Sequence, residues 1–262
     1  MSVKYNQLSN KAYSLHQKKK FKEAEKLYLH LLTLKPDDSN VLNLLGLLYI
    51  STKQESKAII YLTKAFVLKK SSYVASNLAK AYYFNKEYDN ALKIFADALA
   101  IEPNEDIYYS IALTYKQMND YKKAIENYQN ALKYNPDNYK TFYNMSLAYK
   151  NLNDLDNALI YAEKSAELCQ KDEEIYTLLS GLYEGRQMYE KAIESLKIAT
   201  SINPQNYLYF YNLGVLYSRV NKKSDSIIAY NTCIMLNPTF VEAYVNVSTL
   251  YKEIDITTAI SY

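Results

Sequence analysis

Residues Glu105–Asn138 read EDIYYSIALTYKQMNDYKKAIENYQNALKYNPDN. Tyr108, Ile111, Ala112 and Tyr115 recur at spacings of three and four, which places them on one face of a helix. Asn119–Asp120 interrupts the pattern. Ala124, Tyr128 and Ala131 then resume it, and Pro136 closes it. The stretch predicts two short amphipathic helices joined by a tight turn.

With Glu105 as place 1, the pattern recurs along the chain at intervals of 33 or 34 residues. Pro36, Pro103, Pro136, Pro204 and Pro238 all fall at place 32, where a residue that cannot continue a helix ends the second one. Repeats are expected at about 5–38, 39–71, 72–104, 105–138, 139–172, 173–206 and 207–240, with a partial one over 241–262. Lys70 and Gln170 replace the proline in two repeats, and looser helix ends are expected there.

Place 8 is always small: Ala12, Gly46, Ala79, Ala112, Ser146, Ser180, Gly214 and Ser248. Place 20 is Ala24, Ala58, Ala91, Ala124, Ala158, Ala192 and Ser226. Small side chains at both places let two helices approach closely without voids. Place 27, small from Ala65 to Cys233, is expected to meet the following repeat. Place 11 is tyrosine from Tyr49 to Tyr251, an aromatic wedge whose hydroxyl reaches the edge of the core. At place 15, Asn119, Asn153 and Asn221 suit the left-handed conformation that ends a helix.

These residues resemble the tetratricopeptide repeat, whose period is about 34 residues. The resemblance runs from about Tyr5 to the C-terminus. Tryptophan never appears at place 4, and Lys11 stands where the pattern has leucine, as suits a first repeat with a solvated outer side. The resemblance implies an all-α fold: one right-handed superhelical solenoid of antiparallel helix pairs over residues 1–262. First helices would line a concave groove and second helices the convex back. Thr257–Tyr262 begins a second helix and stops, which would leave Val247, Leu250 and Tyr251 uncovered. Two arrangements fit that end: a longer protein continuing past it, or stacking on another chain through the C-terminal repeat.

Composition narrows the function. The 31 basic and 28 acidic residues leave a net charge of +3, which argues against a dedicated nucleic-acid binder. No apolar run approaches the roughly 20 residues a membrane helix needs, and the N-terminus lacks a signal-peptide core. Cys169 and Cys233 form neither a disulfide framework nor a CxxC pair, so a reducing, cytoplasmic setting is expected. His16 and His30 have no Cys or His at metal-ligand spacing and read as solvated or helix-end residues. The four glycines form no phosphate loop; Gly46 and Gly214 are explained by place 8, while Gly181 and Gly185 are not. No catalytic residue, metal site or cofactor is expected, and the protein is not read as an enzyme.

The groove carries the binding expectation. Place 6 holds Asn10, Asn77, Asn144, Asn212 and Asn246, and place 5 holds Tyr109, Tyr143 and Tyr211. An asparagine amide both donates and accepts, so a row of them suits an extended peptide backbone. The row is similar to the asparagine ladder of repeat-bearing glycosyltransferases. Lys80, Lys116, Lys140 and Lys150 also project from first helices, with Asp106 as the opposing charge. The expected contacts are Asn77, Tyr109, Lys116, Tyr143, Asn144, Lys150, Tyr211 and Asn212. The expected function is a non-catalytic scaffold that holds an extended segment of a protein partner. Two other readings fit the same pattern: the substrate-recruiting arm of a larger enzyme such as a glycosyltransferase, and a self-assembling solenoid. The lysine and asparagine set of a two-carboxylate chaperone clamp is absent.

Overall fold

The turn between paired helices shows how the sequence sets the fold. The computed structural model describes residues 2–254, and the expected helix start at Thr257–Tyr262 lies outside the described residues. Place 15 has positive φ in seven pairs: Lys19, Lys53, Lys86, Asn119, Asn153, Gln187 and Asn221, between 56° and 63°. In each pair the place-16 amide donates to the place-11 carbonyl at 2.8–3.0 Å, from Lys20 to Leu15 through Lys222 to Tyr217. This is a left-handed cap that satisfies carbonyls orphaned at the helix end. The three asparagines marked the position; lysine and glutamine adopt it too, although a side chain in that region is disfavoured by about 1–2 kcal/mol.

The chain forms two compact units, Met1–Pro136 and Asp137–Tyr262. The first contains α1 (Ser2–Gln17), α2 (Phe21–Leu34), α3 (Ser39–Ser51), α4 (Glu55–Leu68), α5 (Ser72–Phe84), α6 (Tyr88–Ile101), α7 (Glu105–Gln117) and α8 (Tyr121–Tyr134). The second contains α9 (Tyr139–Asn151), α10 (Leu155–Leu168), α11 (Glu173–Gly185), α12 (Tyr189–Ile202), α13 (Tyr207–Arg219), α14 (Lys223–Leu236) and α15 (Val241–Ile254). No strand occurs among the described residues. Within each unit, helices pack chiefly as consecutive antiparallel pairs, and each pair stacks on the next, which is a solenoid.

Close approach within pairs rests on places 8 and 20. Ala12, Ala24, Ala58, Ala79, Ala91, Ala112, Ala124, Ala158 and Ala192 are fully buried. A β-carbon on Gly46 would meet Leu62 Cγ at 2.4 Å, and one on Gly214 would meet the Tyr230 ring at 2.6 Å. Both partners lie at place 24, so the residue opposite decides how small place 8 must be. Two serines at these places bond across the pair: Ser146 Oγ donates to the Ala158 carbonyl and Ser226 Oγ to that of Gly214, each at 2.7 Å. A buried hydroxyl left unpaired would be destabilising, and these are paired.

First helices start at capped boundaries. The side chains of Asp38, Ser71, Asn104, Asn138, Asp172 and Asn206 accept backbone amides at the N-termini of α3, α5, α7, α9, α11 and α13. Asp38 also accepts from the Tyr5 hydroxyl at 3.0 Å, tying α1 to α3. Burial and the Asp38 charge push the Tyr5 phenol up to about 12.

Two expectations are corrected. Without proline, α4 and α10 still end at Leu68 and Leu168, the same place as in the other repeats, with the same cap bond to Ala65 or Ser165. Val247 and Leu250 are not uncovered; they cluster with Ile227, Tyr230 and Cys233 of α14. His16 stands in the last turn of α1, as expected of a helix-end residue; its half-buried ring packs edge-on to Phe21 and Tyr28, and burial lowers its pKa.

Candidate functional site

In the first unit the first helices α1, α3, α5 and α7 touch one another in order, so they form a continuous face. Along a first helix, places 2, 5, 6 and 9 share a side at helical spacing. All eight residues expected to bind occupy first helices at places 5, 6 or 12, but at different depths.

Asn77 on α5 is 5% exposed, and its Nδ2 donates to Asn43 Oδ1 at 2.9 Å, with Asn43 also buried. This amide pair joins α3 to α5. Asn144 on α9 is 8% exposed and donates to the Lys140 carbonyl of its own helix at 2.9 Å. Asn212 on α13 is exposed. The even row of open amides suggested by spacing is therefore replaced by two inward-turned asparagines and one outward. Asn246 is a further variation, its Nδ2 donating to the Tyr230 hydroxyl at 3.2 Å and the Tyr211 hydroxyl at 3.4 Å.

The tyrosines are half-buried anchors. Tyr109 on α7 lies 5.7 Å from the Tyr128 ring between centroids. Tyr143 on α9 donates to Glu174 at 3.4 Å; burial and the Glu174 charge push its phenol up to about 12. Tyr211 packs against Tyr230 and Phe240 at 5.8 and 5.0 Å. Lys116 on α7 is half-buried, which lowers its pKa, and Lys150 at the end of α9 is exposed. Three of the eight residues belong to the first unit and five to the second.

Of the residues at place 2, Asp106 is read from the sequence as the charge opposing the lysines, and Tyr73 is missed. There stand Tyr73 and Asp106, with Lys80 at place 9 facing the next repeat. Lys80 Nζ lies 2.6 and 2.9 Å from the two oxygens of Asp106, and Ser76 Oγ donates to the same carboxylate at 3.3 Å. These residues line a hollow of about 350 Å³ between α5 and α7. A second hollow, about 450 Å³, lies between α3 and α5 and is lined by Asn43, Leu44, Lys69 and Val74. Tyr73, 62% exposed, lines both. The signal that could have found Tyr73 is the run Asn6, Asn40, Tyr73, Asp106, Lys140, Glu174 at place 2: polar or aromatic residues on a face that needs none for packing.

Among the described residues, no group of three or more His, Cys, Asp and Glu side chains could hold a metal ion, and no helix is long and apolar enough to cross a membrane. Cys233 is buried at a core place, and burial raises its thiol pKa.

Comparison with known proteins adds the following. The peroxisomal targeting signal receptor of Kluyveromyces lactis is 28% identical over 88 residues, 34% of this chain and 16% of that receptor. The chain thus corresponds to a small part of the length of the curated relatives it matches. The solved C-terminal part of a repeat protein from Cytophaga hutchinsonii superposes with a TM-score of 0.76 at 15% identity, covering 91% of this chain and 99% of that one. YrrB, described as a tetratricopeptide repeat protein with an unusual peptide-binding site, superposes with a TM-score of 0.60 at 23% identity over 70% of this chain and 95% of its own. The tetratricopeptide repeat profile matches residues 8–38, 39–71, 72–101, 105–138, 139–172, 173–206 and 207–240. With the profile matched in phase from the first helix pair to the seventh, the chain belongs to the tetratricopeptide repeat family.

Proposed function

We propose that the protein is a non-catalytic scaffold that binds an extended segment of a partner protein along the face of its first helices. Tetratricopeptide repeats indicate a protein-interaction scaffold, and the peptide-binding title of YrrB and the receptor names of the curated relatives agree with that class. The observation that carries the reading is the make-up of the first helices within each unit. Polar and aromatic side chains, among them Tyr73, Tyr109, Tyr143, Tyr211 and Asn212, stand on first helices, with hollows between successive helices of the first unit. Tyrosine supplies contact area at small entropic cost, and amides and hydroxyls supply backbone hydrogen bonds. Lys116 and Lys150 add positive charge for acidic side chains of the segment. Asn77 and Asn144 enter this reading as residues that hold the face in shape, because their amides are turned inward.

The test is capture of partners from a cell extract by three immobilised proteins. One is the native chain; one carries Tyr73→Ala and Asn212→Ala; one carries Ile60→Ala and Ile160→Ala, exposed positions on second helices. The expected result is a partner retained by the native chain and the second-helix variant and lost, about tenfold or more, by the first-helix variant, a loss of about 1.4 kcal/mol or more. Equal retention by all three, with unchanged circular dichroism, overturns the reading.

A further inference from the structure

The hollow between α5 and α7 has a chemical sign. Ser72 Oγ donates to the Glu102 carbonyl at 3.1 Å, Ser76 Oγ to Asp106, Asn77 Nδ2 to Asn43, and Lys80 Nζ to both oxygens of Asp106. Four donors at the hollow are thus turned toward acceptors of the chain itself. Of the ion pair, the group more open to a visitor is the Asp106 carboxylate, an acceptor. The Asp106 side chain is 58% exposed even while paired, and an ionised carboxylate offers about four lone-pair sites. Glu102 also lines the hollow, where its backbone carbonyl accepts from Ser72. The wall shared with the neighbouring hollow is the exposed Tyr73 ring.

We propose that this hollow is a socket for one arginine side chain of the bound segment, with Asp106 as its counter-ion and the Tyr73 ring as its stacking face. The proposal rests on the reading of the first-helix face as a peptide site and specifies one side chain of that peptide. A guanidinium meets both features at once: its planar fork matches a carboxylate, and its face lies flat on an aromatic ring. Cations over tyrosine gain further from the ring quadrupole. Lys80 occupies the position of the incoming cation and competes with it. The adjoining hollow holds Lys69 and no acid, with Asn40, Asn43 and Ser71 beside Leu44 and Val74, so it does not favour a second base beside the arginine.

The competition gives a test whose sign is not the one a simple contact map suggests. The uniformly ¹⁵N-labelled chain is titrated with the blocked peptide Gly-Val-Arg-Val-Gly and, separately, with Gly-Val-Glu-Val-Gly, each to about 10 mM, a range suited to weak millimolar binding. The arginine peptide is expected to shift amides in residues 72–80 and 104–107, and the glutamate peptide is not. Asp106→Asn is expected to weaken the arginine peptide about fivefold, and Tyr73→Ala about threefold. Lys80→Met is expected to tighten it about threefold, because the internal competitor is removed. Asp106, Lys80 and Tyr73 stand at the surface, so these variants are expected to fold, and their ¹⁵N spectra check it. Three results overturn the socket: preference for the glutamate peptide with loss on Lys80→Met, shifts confined to other first helices, or no response to either peptide. The second result leaves the peptide face standing and moves the contact; the third leaves that face to the capture experiment.

Discussion

Two glycines in first helices have opposite surroundings, and substitution separates them. At Gly214 an added methyl would lie 2.6–2.8 Å from ring atoms of Tyr230, which is almost fully buried and cannot retreat. Overpacking of this kind costs about 1–3 kcal/mol and outweighs the helix-propensity gain of about 1 kcal/mol from removing glycine. Gly181 has nothing within 4 Å of the same position. Gly181→Ala should therefore raise stability by about 1 kcal/mol, and Gly214→Ala should lower it, both read by urea unfolding. A stabilised Gly214→Ala would show that the pair contact is looser than its geometry. Place 8 was legible in the sequence because close packing leaves a size signature in every repeat. The depth of Asn77 was not, because it depends on Asn43 one repeat earlier and on whether two amides meet. Periodicity assigns a side chain to a face; burial is decided by what stands opposite. For the same reason Asp106 read as the counter-charge to the lysines, while Tyr73 beside it went unread.

Helices in this chain are bounded by caps more than by proline. The second helices α2, α6, α8, α12 and α14 end two residues before a proline, yet α4 and α10 end at the same place without one. Their last turns close through the Lys69 and Cys169 amides, and both residues are extended, at φ near −140°. An extended residue is what must precede proline. The Lys70 amide donates to no backbone carbonyl among the described residues. Lys70→Pro should thus fit the native backbone and stabilise by about 0.4–1 kcal/mol through the unfolded chain. A fall in the urea midpoint would mean that Lys70 has a backbone role the other repeats lack. Cap residues from Asp38 to Asn206 were present in the sequence at every boundary. Asp38, Asn104, Asn138 and Asn206 went unread because the proline beside each was the stronger signal; Ser71 and Asp172 have no such proline and went unread with them.

Across the whole chain, stability is distributed. Within each unit, repeats bury their own residues at places 8, 20 and 27 and lean on their neighbours, so the total behaves as a sum of local and nearest-neighbour contributions. A lesion should stay local. In the Gly214→Ala variant, amide hydrogen exchange should quicken in α13 and α14, while α1 to α6 exchange as before. Uniform acceleration along the chain would instead reveal all-or-none cooperativity. The fold was readable because a defect in any one repeat is outvoted by the others. The binding face was readable only in part, since it answers to a partner that leaves no period in the sequence.

The reciprocity between places 8 and 24 has an engineering corollary. Gly46 faces Leu62, and Gly214 faces Tyr230, so the volume one helix gives up is the volume the other claims. A chimera that swaps single helices between repeats would separate knob from socket and jam or hollow the joint. One that moves whole hairpins would carry each matched set intact. The heritable module of this protein, the piece that can be duplicated or grafted without repair, is the hairpin.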